Sequence, residues 1–506
     1  MARFFITTAI DYSNGEPHIG HAFEKVGADC IARYHRLVGD EVWFLIGMDE
    51  HGQKVAQTAA DLGISPQRLT DELAATFQAR WRDLLISHDQ FMRTTAPEHK
   101  DGVRDLIERI FARNPDDFYE HSYTGLYCVG CESFKIGADI VDGRCSLHPT
   151  RVLEEVEERN WFFRLSRYQK FLEELLESRP EFVQPEIRRN EILGLLRQGL
   201  EDVSASRSRL TWGVPFPRPT SDGEAQTTYV WFDALPNYWT APRFPGSKAH
   251  WPAQLHVVGK DITRFHCVIW PAMLQSAGEA LPERVWAHGF IFLGGDRFSK
   301  SAGVKLDLSE AISRHGPDAL RYFLLLEVGF ANDGNFSWER FDERYVADLA
   351  DGLGNLASRS LAMIEKYRGG TVPAGASTSL DGVGAEQVRT YRAAMDSLDL
   401  RGGADAAWSL ITAANQFIVQ TAPWTLAKQG KEAELDAVLS ALARCLVRLA
   451  VLIHPMMPGK TAILWDHLGQ DASLSGAWRQ AENPDASSRT VRKPEGLFPK
   501  PAHPSN

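Results

Sequence analysis

The chain has 506 residues, of which 44% are hydrophobic and 24% are charged. This length allows roughly three domains, and the composition is that of a soluble globular protein without a membrane span. The 55 basic and 66 acidic residues give a net charge of −11, so a nucleic-acid partner must meet a local basic patch against a repulsive net field. The six cysteines favour a reducing, cytoplasmic setting over a disulfide scaffold.

The chain enters its first predicted strand, Phe4–Ile10, almost at once, so we expect no signal or transit segment. A turn at Ser13–Gly15 follows, and a helical pattern then opens with His18, Gly20 and His21. A strand that enters a helix through a tight loop suits phosphate binding, because the helix start offers free N–H groups and a positive dipole end. The His-x-x-His spacing also occurs in metal sites, so both readings stay open from these residues alone.

The helical pattern ends at Gly39, and the apolar run Val42–Ile46 is typical of a parallel strand buried on both faces. Strand, helix and strand form a right-handed crossover unit. The polar segment Gly47–Gly52 follows the second strand, at the carboxyl end where such sheets bind ligands. A further strand is predicted near Phe91–Thr94, followed by a helix to about Arg113.

Two close ligand pairs lie in the segment from 118 to about 209. Cys128 and Cys131 are followed, after thirteen residues, by Cys145 and His148. Sulfur and nitrogen ligands with these short spacings match a tetrahedral zinc site. Four protein ligands leave no open position for a catalytic water, so the predicted zinc is structural. The alternative is a set of free buried thiols beside a chance histidine.

The second half begins at Trp212. Further strands are predicted at Tyr229–Trp231, Leu255–Gly259 and Phe290–Leu293. A Gly-rich turn then leads into the loop Arg297-Phe298-Ser299-Lys300-Ser301, which by itself is equally typical of a solvated surface loop. Beyond about residue 345 the pattern becomes helical, with one helix marked by Leu349–Ile364 and a later one at Ala433–Ile453. The Pro- and Ser-rich end, 484–506, is expected to lie on the surface or to fray.

The motif His-Ile-Gly-His after a first strand, paired with a late Lys-x-Ser-Lys-Ser-type loop, resembles the class I aminoacyl-tRNA synthetases. Trp212–Pro215 and Tyr229–Ala234 resemble the methionyl-tRNA synthetases in particular, and the resemblance extends from Arg3 to about Lys428. It implies an α/β fold: a Rossmann-like parallel-sheet catalytic domain, split by a zinc-knuckle insertion and followed by an all-α helix-bundle domain. The implied segments are two catalytic halves at 1–115 and 212–295, the insertion at 116–211, the loop and stem-contact segment at 296–345, the anticodon-binding bundle at 346–483 and a surface tail at 484–506.

The implied reaction joins L-methionine and ATP, with Mg²⁺, into methionyl-adenylate and then transfers methionyl to tRNA(Met). The resemblance assigns catalysis to His18, His21, Arg297 and Lys300, with Gly20 and Ser299 also binding ATP. The loop departs from the family pattern Lys-Met-Ser-Lys-Ser, because Arg297 replaces the first Lys, Phe298 replaces Met, and Val304 stands where Asn is usual. Arginine keeps the charge but not the compact ammonium geometry. We expect activity to survive, and the sequence leaves open how fast the loop opens and closes.

The resemblance also assigns binding residues. For methionine they are Ile10, Tyr12, Asp49, Trp231, Ala234, Leu235, Tyr238, Ile262 and His266. Asp49 is expected to meet the α-ammonium group, and Tyr12 and His266 to donate weakly to the sulfur, although Trp231 and Ile10 also suit an ordinary sheet core.

Asn355, Arg359 and Trp424 match anticodon-reading residues; the alternatives are a solvated charge for Arg359 and a core aromatic for Trp424. A monomer is expected, since some relatives dimerise through a C-terminal barrel that this sequence does not include.

Two other functions remain as alternatives. A paralogue kept for RNA binding or regulation, with impaired chemistry, is suggested only by the altered Arg297-Phe298 pair. The intact His18, His21, Asp49 and Lys300 argue against it. A cysteinyl-type synthetase would place a catalytic zinc beside the amino-acid pocket, whereas the cysteines here lie in the insertion. The insertion is also too short for the separate editing domain of the larger isoleucyl, valyl and leucyl relatives.

Overall fold

The structure is a computed structural model that describes residues 2–129, 133–135, 140–146, 148–293, 296–297, 306–470, 473–492 and 496–500. Its strands are β1 (Arg3–Thr8), β2 (Asp11–Tyr12), β3 (Glu41–Asp49), β4 (Gln90–Arg93), β5 (Phe118–Cys128), β6 (Ser133–Lys135), β7 (Ile140–Val141), β8 (Arg144–Cys145), β9 (His148–Val152), β10 (Glu154–Phe163), β11 (Val183–Gln184), β12 (Val203–Ser204), β13 (Ser206–Arg207), β14 (Thr227–Thr228), β15 (Leu255–Gly259), β16 (Val285–His288), β17 (Ile291–Leu293), β18 (Asp296–Arg297) and β19 (Gly334–Phe336).

The α-helices are α1 (Ile19–Val38), α2 (Gln53–Asp61), α3 (Pro66–Asp83), α4 (Pro97–Arg113), α5 (Gln169–Ser178), α6 (Glu186–Leu196), α7 (Val230–Ala234), α8 (Asn237–Thr240), α9 (Trp270–Ala277), α10 (Leu308–His315), α11 (Pro317–Phe323), α12 (Trp338–Arg344), α13 (Asn355–Arg368), α14 (Ser379–Asp396), α15 (Leu400–Thr421), α16 (Pro423–Lys428), α17 (Glu432–Ile453), α18 (Pro458–His467) and α19 (Trp478–Glu482). Stretches of π-helix occupy Phe265–Ile269, Leu324–Gly329 and Tyr345–Gly354. Short 3₁₀ turns occupy Pro115–Asp117, Leu165–Tyr168, Ala241–Arg243 and Lys260–Ile262.

The largest sheet has the strand order β11-β16-β15-β1-β3-β2, with β4 also paired to β3. Its described pairings are all parallel. Side chains alternate between two cores: Phe4 and Ile6 of β1 pack with α1 on one face, and Phe5 packs on the other. A sheet covered on both faces explains why its strands appear as continuous apolar runs in the sequence. The predicted α/β fold with a parallel sheet is confirmed.

The insertion between β4 and β15 contains a long antiparallel ribbon of β5 and β10, with β6 on one edge and β12 on the other. A small sheet of β7, β8 and β9 lies beyond it. The ribbon base joins the sheet core, because Phe118 and Phe163 pack among the residues of α4 and α9. The base of the insertion therefore packs on the face of the main sheet that carries Phe5.

Helices α13 to α19 form the second large unit, which we call the helical domain. The predicted all-helical character of this region is confirmed. The described part of the tail packs on it: Leu497 and Phe498 are buried, and Val491 N donates to Gly370 O at 2.8 Å. Among the described residues, every helix is too short or too polar to span a membrane.

One predicted strand is wrong. Tyr229–Trp231 was expected to be extended, but Val230 and Trp231 open helix α7, with Tyr229 as its extended N-cap. A three-residue run of aromatic and β-branched side chains is too short for periodicity to separate a strand from a buried helical turn. The helix turns Trp231 and Ala234 toward the carboxyl end of the sheet.

Candidate active site

A cavity of about 390 Å³ opens at the carboxyl end of the parallel sheet. Its walls come from the segment after β1, from the end of β3, from helices α7 and α8, and from the segment after β15. All the residues assigned to methionine by resemblance line it: Ile10, Tyr12, Asp49, Trp231, Ala234, Leu235, Tyr238, Ile262 and His266. Ala9, Val230, Asn237 and Asp261 line it too and were not predicted. Each of these four is next to a predicted residue in the sequence, and that adjacency was the available signal.

The aromatic wall of the cavity is fixed by stacking and by a directed chain of hydrogen bonds. The rings of Trp231 and Phe265 stack with centroids 3.6 Å apart. His266 Nδ1 donates to Ile262 O at 3.0 Å, and the Tyr238 hydroxyl donates to His266 Nε2 at 2.8 Å. Burial lowers the pKa of His266 to about 4, so the ring is neutral at pH 7 and its single N–H is engaged. The expected weak donation from His266 to a thioether sulfur would need this N–H to leave the Ile262 carbonyl, and it stays a prediction.

Asp49 is the last residue of β3 and is 8% exposed. Tyr12 lies opposite it in the β2–β3 register. Ser13 donates to the Asp49 carbonyl twice, from its backbone N at 2.9 Å and from its Oγ at 2.8 Å. These bonds hold the segment after β1 against the end of β3. The result is a carboxylate on the wall of a largely apolar cavity, an arrangement that suits a ligand ammonium group.

A buried carboxylate joins the two walls of the cavity from behind. Asp233 Oδ2 accepts from His51 Nδ1 at 2.7 Å, and Asp233 Oδ1 accepts from His99 Nε2 at 2.9 Å. His99 Nδ1 bonds Thr240 Oγ1 at 2.9 Å. Burial alone would raise the pKa of Asp233, but the charge and hydrogen bonds of the two imidazoles lower it to about 2. The loop after β3, α4, α7 and α8 thus converge on one ionised carboxylate.

The start of α1 is closed by two imidazoles. His18 Nδ1 accepts from Gly20 N at 3.1 Å, and His21 Nδ1 accepts from His18 N at 3.2 Å. The two rings stack with centroids 3.8 Å apart. Because each Nδ1 is an acceptor, the neutral rings carry their protons on Nε2 as donors. A Cβ at Gly20 would lie 3.0 Å from His18 Cε1, so a side chain there would crowd this cap.

The segment between β1 and α1 is held by a buried lysine that was not predicted. Lys25 Nζ donates to Ala9 O at 2.9 Å, to Asp11 Oδ1 at 2.9 Å and to Glu24 Oε1 at 2.8 Å. Burial alone would lower the pKa of Lys25, but the two carboxylates raise it above its ordinary value. The ammonium therefore stays charged and ties the cavity wall at Ala9 to α1. A lysine within a helical pattern gives no sequence signal of burial.

The late loop is described only in part. The backbone of Arg297 lies in β18, opposite Phe292 of β17. Phe298, Ser299, Lys300 and Val304 lie outside the described residues, so the expected contacts of this loop with phosphate stay predictions.

A groove of about 590 Å³ lies between α13 and α15 of the helical domain, and the π-helical stretch Tyr345–Gly354 also lines it. Asn355 and Arg359 both line it, one turn apart on α13, and Trp408 and Asn415 of α15 face them. Trp424, the third residue assigned to this site, is outside the groove lining and is 42% exposed on α16. That exposure does not fit the alternative in which Trp424 is a core aromatic.

Known proteins match this chain along nearly its whole length. A family model described as class I tRNA synthetases (M) matches residues 4–151 and 135–361, and one described as the anticodon binding domain of methionyl tRNA ligase matches residues 369–502. A methionine–tRNA ligase from Streptomyces coelicolor is 38% identical over 98% of this chain and 96% of its own. Another, from a Synechocystis species, is 41% identical over 93% of this chain and 90% of its own.

Solved structures agree. The methionyl-tRNA synthetase of Mycobacterium tuberculosis in complex with methionyl-adenylate superposes with a TM-score of 0.92 and 37% identity, covering 99% of this chain and 100% of that one. The chain belongs to the methionyl-tRNA synthetase family. The free form of the same mycobacterial protein superposes with a TM-score of 0.85 and 35% identity.

The predicted zinc ligands lie in the insertion between β4 and β15. Cys128 and Cys145 are buried together with Leu153 in a small core at the tip of the β5–β10 ribbon. The backbones of Cys145 and His148 lie opposite each other in the β8–β9 pairing. Cys131 and the side chain of His148 lie outside what the structure describes. Within the described part, no cluster of three or more His, Cys, Asp or Glu is arranged to hold a metal.

Proposed function

We propose that this chain is a methionine–tRNA ligase that activates L-methionine with ATP and then transfers methionyl to the 3′ end of tRNA(Met). The observation that carries the proposal is the single cavity around which every residue assigned to methionine gathers. Its apolar, aromatic lining suits an unbranched thioether. Asp49 gives the cavity one carboxylate for the α-ammonium group. Discrimination of one methylene in such a pocket amounts to about 1–3 kcal/mol, so homocysteine is activated at some rate.

The first step needs placement rather than a general base. The methionine carboxylate is ionised at pH 7, because α-carboxyl pKa values lie near 3.5. One of its oxygens bonds to the α-phosphorus of ATP, and the bond from that phosphorus to the pyrophosphate oxygen breaks. The start of α1 supports the assignment of the phosphate site: the capping bonds leave His18 and His21 with donors on Nε2, and the helix dipole favours negative charge there.

The remaining charge comes from the late loop and from Mg²⁺ that arrives with ATP. Lys300, with Arg297 and Ser299, would meet the phosphates as charge develops on the leaving pyrophosphate. When bound, Mg²⁺ would supply positive charge that offsets the negative charge of the phosphates. This part of the proposal rests on the sequence motif.

The second step requires tRNA to reach the adenylate from the helical domain. Asn355 and Arg359, side by side in the groove of α13 and α15, would bind base edges. Trp424, exposed on α16, would stack on a base. The groove also contains Asp348 and Asp351, which would repel phosphate and favour bases over backbone.

Cys128, Cys131, Cys145 and His148 would hold one structural Zn²⁺. The burial of Cys128 and Cys145 in one small core supports this assignment, because thiolates brought together at a ribbon tip are typical zinc ligands. When bound, the metal would crosslink the tip of the insertion. We further propose that the protein acts as a cytoplasmic monomer, which light scattering at micromolar concentration tests.

Methionine-dependent exchange of pyrophosphate into ATP, measured without tRNA, tests the function. Exchange with methionine and much weaker exchange with cysteine are expected. If no amino acid supports exchange while tRNA still binds, the RNA-binding paralogue is the better description. Exchange that depends on cysteine would favour the cysteinyl alternative.

A further inference from the structure

Arg321 of α11 is fully buried where the main sheet domain meets the helical domain. Its Nε donates to Met456 O at 2.8 Å and its Nη2 donates to Pro455 O at 3.0 Å, both in the turn between α17 and α18. Its Nη1 donates to Leu84 O at 3.2 Å, just after α3. Its Nη2 also pairs with Asp29 Oδ2 of α1 at 2.7 Å. One guanidinium thus bonds the helical domain on one side and the sheet domain on the other.

Asp29 is held as tightly as its partner. Arg33 Nε shares Asp29 Oδ2 at 2.8 Å, and Ser87 donates to Oδ1 from its backbone N at 2.7 Å and its Oγ at 2.5 Å. Burial alone would raise the pKa of Asp29, but Arg33, Arg321 and Ser87 hold it well below its ordinary value. Both side chains are therefore charged and inaccessible to solvent. The 2.7 Å contact between them is fixed in geometry by several directed hydrogen bonds.

Helix α11 grips the same turn at a second point. Asp318, three residues before Arg321, accepts from Gly459 N at 3.0 Å and from Lys460 N at 2.8 Å, at the start of α18. A Cβ at Gly459 would lie 2.6 Å from Asp318 Oδ2, so the contact requires glycine. Asp318 and Arg321, both on α11, therefore fix the position of the turn that leads into α18.

These contacts lie on elements that lead to the active site. Helix α1, which carries Asp29, begins at the His18 and His21 cap, and α11 follows the late loop through α10. We propose that Arg321, paired with Asp29, is a positioning residue that fixes the helical domain relative to α1, so that tRNA held by the helical domain delivers its 3′ end to the adenylate. The inference rests on the proposed function. A displacement of about 1 Å at a reacting centre can cost about a hundredfold in rate.

The test compares three reactions of the full chain: pyrophosphate exchange without tRNA, aminoacylation of full-length tRNA(Met), and aminoacylation of an acceptor-stem minihelix without an anticodon. Arg321→Lys keeps the charge but cannot reach the same acceptors, and Asp29→Asn keeps the shape but removes the charge. For both, we expect kcat/KM with full-length tRNA to fall about ten- to a hundredfold. Exchange and minihelix charging should stay within about twofold. The control is Arg104→Lys, an arginine of α4 whose side chain is 49% exposed.

Equal losses in all three reactions, in parallel with a lower Tm, would mean that the pair is only structural and would overturn the proposal. Unchanged charging of full-length tRNA by both variants would overturn it as well. If Arg321→Lys does not fold, the near-isosteric Asp29→Asn decides. Failure of the proposed function is distinguishable, because the unmodified protein would then give no methionine-dependent exchange.

Discussion

Asp233 and His51, 182 residues apart in the sequence, meet through a hydrogen bond of 2.7 Å behind the cavity. His51 follows the strand that ends at Asp49, and Asp233 lies between Trp231 and Ala234 on α7. The bond therefore fixes the distance between the carboxylate wall and the aromatic wall of the cavity. His99 bonds the other oxygen of Asp233 at 2.9 Å, so the carboxylate cannot rotate away.

We predict that Asp233→Asn removes the pH-dependent contribution that the Asp233 carboxylate makes to the free energy of unfolding. The pKa of Asp233 is about 2 in the folded protein against an ordinary 3.8, so the native carboxylate binds fewer protons than the unfolded one. Its stabilisation is complete above about pH 4 and is lost as the pH falls toward 2. At roughly 1.4 kcal/mol per unit, it amounts to about 2 kcal/mol.

Urea unfolding between pH 3 and pH 7 checks this prediction. The stability difference between the unmodified protein and Asp233→Asn should narrow as the pH falls. Asp101→Asn, whose side chain is 67% exposed, should show no such trend. A difference that is constant across the range would contradict the ionised state of Asp233.

Tyr238→Phe should weaken methionine binding selectively. The variant removes the hydroxyl that donates a hydrogen bond to His266 Nε2. A buried acceptor left unpaired costs about 1–3 kcal/mol of free energy. We expect the KM for methionine in the exchange reaction to rise about tenfold, with the KM for ATP within twofold. Tyr119→Phe, which loses a bond to Asp202 in the insertion, is the control. An equal rise in both KM values would refute a role confined to the cavity.

Lys300→Ala should lower the rate of exchange about 10²- to 10³-fold, because its charge is used mainly in the transition state. The KM for methionine should hardly change. Lys170→Ala, with a side chain that is 86% exposed, should behave as the unmodified protein. A normal exchange rate with weaker methionine binding would show that the loop has another role.

Metal analysis of protein purified without chelator should find about one zinc per chain. Cys145→Ser should lose the metal and slow aminoacylation, since the tip of the insertion would no longer be crosslinked. Cys445→Ala changes a buried thiol of α17 and should keep the metal. Unmodified protein that contains no zinc would rule the site out.

The main sheet could be predicted because its signals are local. The run Val42–Ile46 lies within β3, and Leu255–Gly259 coincides with β15. The residues that line the cavity could be grouped only by resemblance, since they come from segments more than two hundred residues apart. Neither the local sequence signals nor the resemblance predicts the hydrogen bonds of Asp233 behind the cavity. Asp233 and Arg321 look like ordinary helix charges, and only the tertiary fold places them among buried partners.

The last prediction concerns Trp424, which we expect to stack on an anticodon base, the cytosine at its first position. Its exposure of 42% leaves a ring face accessible. Stacking of a base on an aromatic side chain is worth roughly 1–3 kcal/mol, so Trp424→Ala should lower kcat/KM for tRNA by about one to two decades. Pyrophosphate exchange without tRNA should be nearly unaffected, because the cavity lies in the sheet domain.

The matched control is Ile463→Ala, which removes another apolar side chain of the helical domain with a similar exposure of 44%. Both variants should keep their melting temperature within a few degrees, because neither side chain is buried. If Trp424 instead supported the bundle core, its loss would cost several kcal/mol of stability. Charging of tRNA would then fall only as the domain melts. Melting and aminoacylation measured side by side separate the two, and a large loss of stability with normal charging below the melting range would end the anticodon assignment.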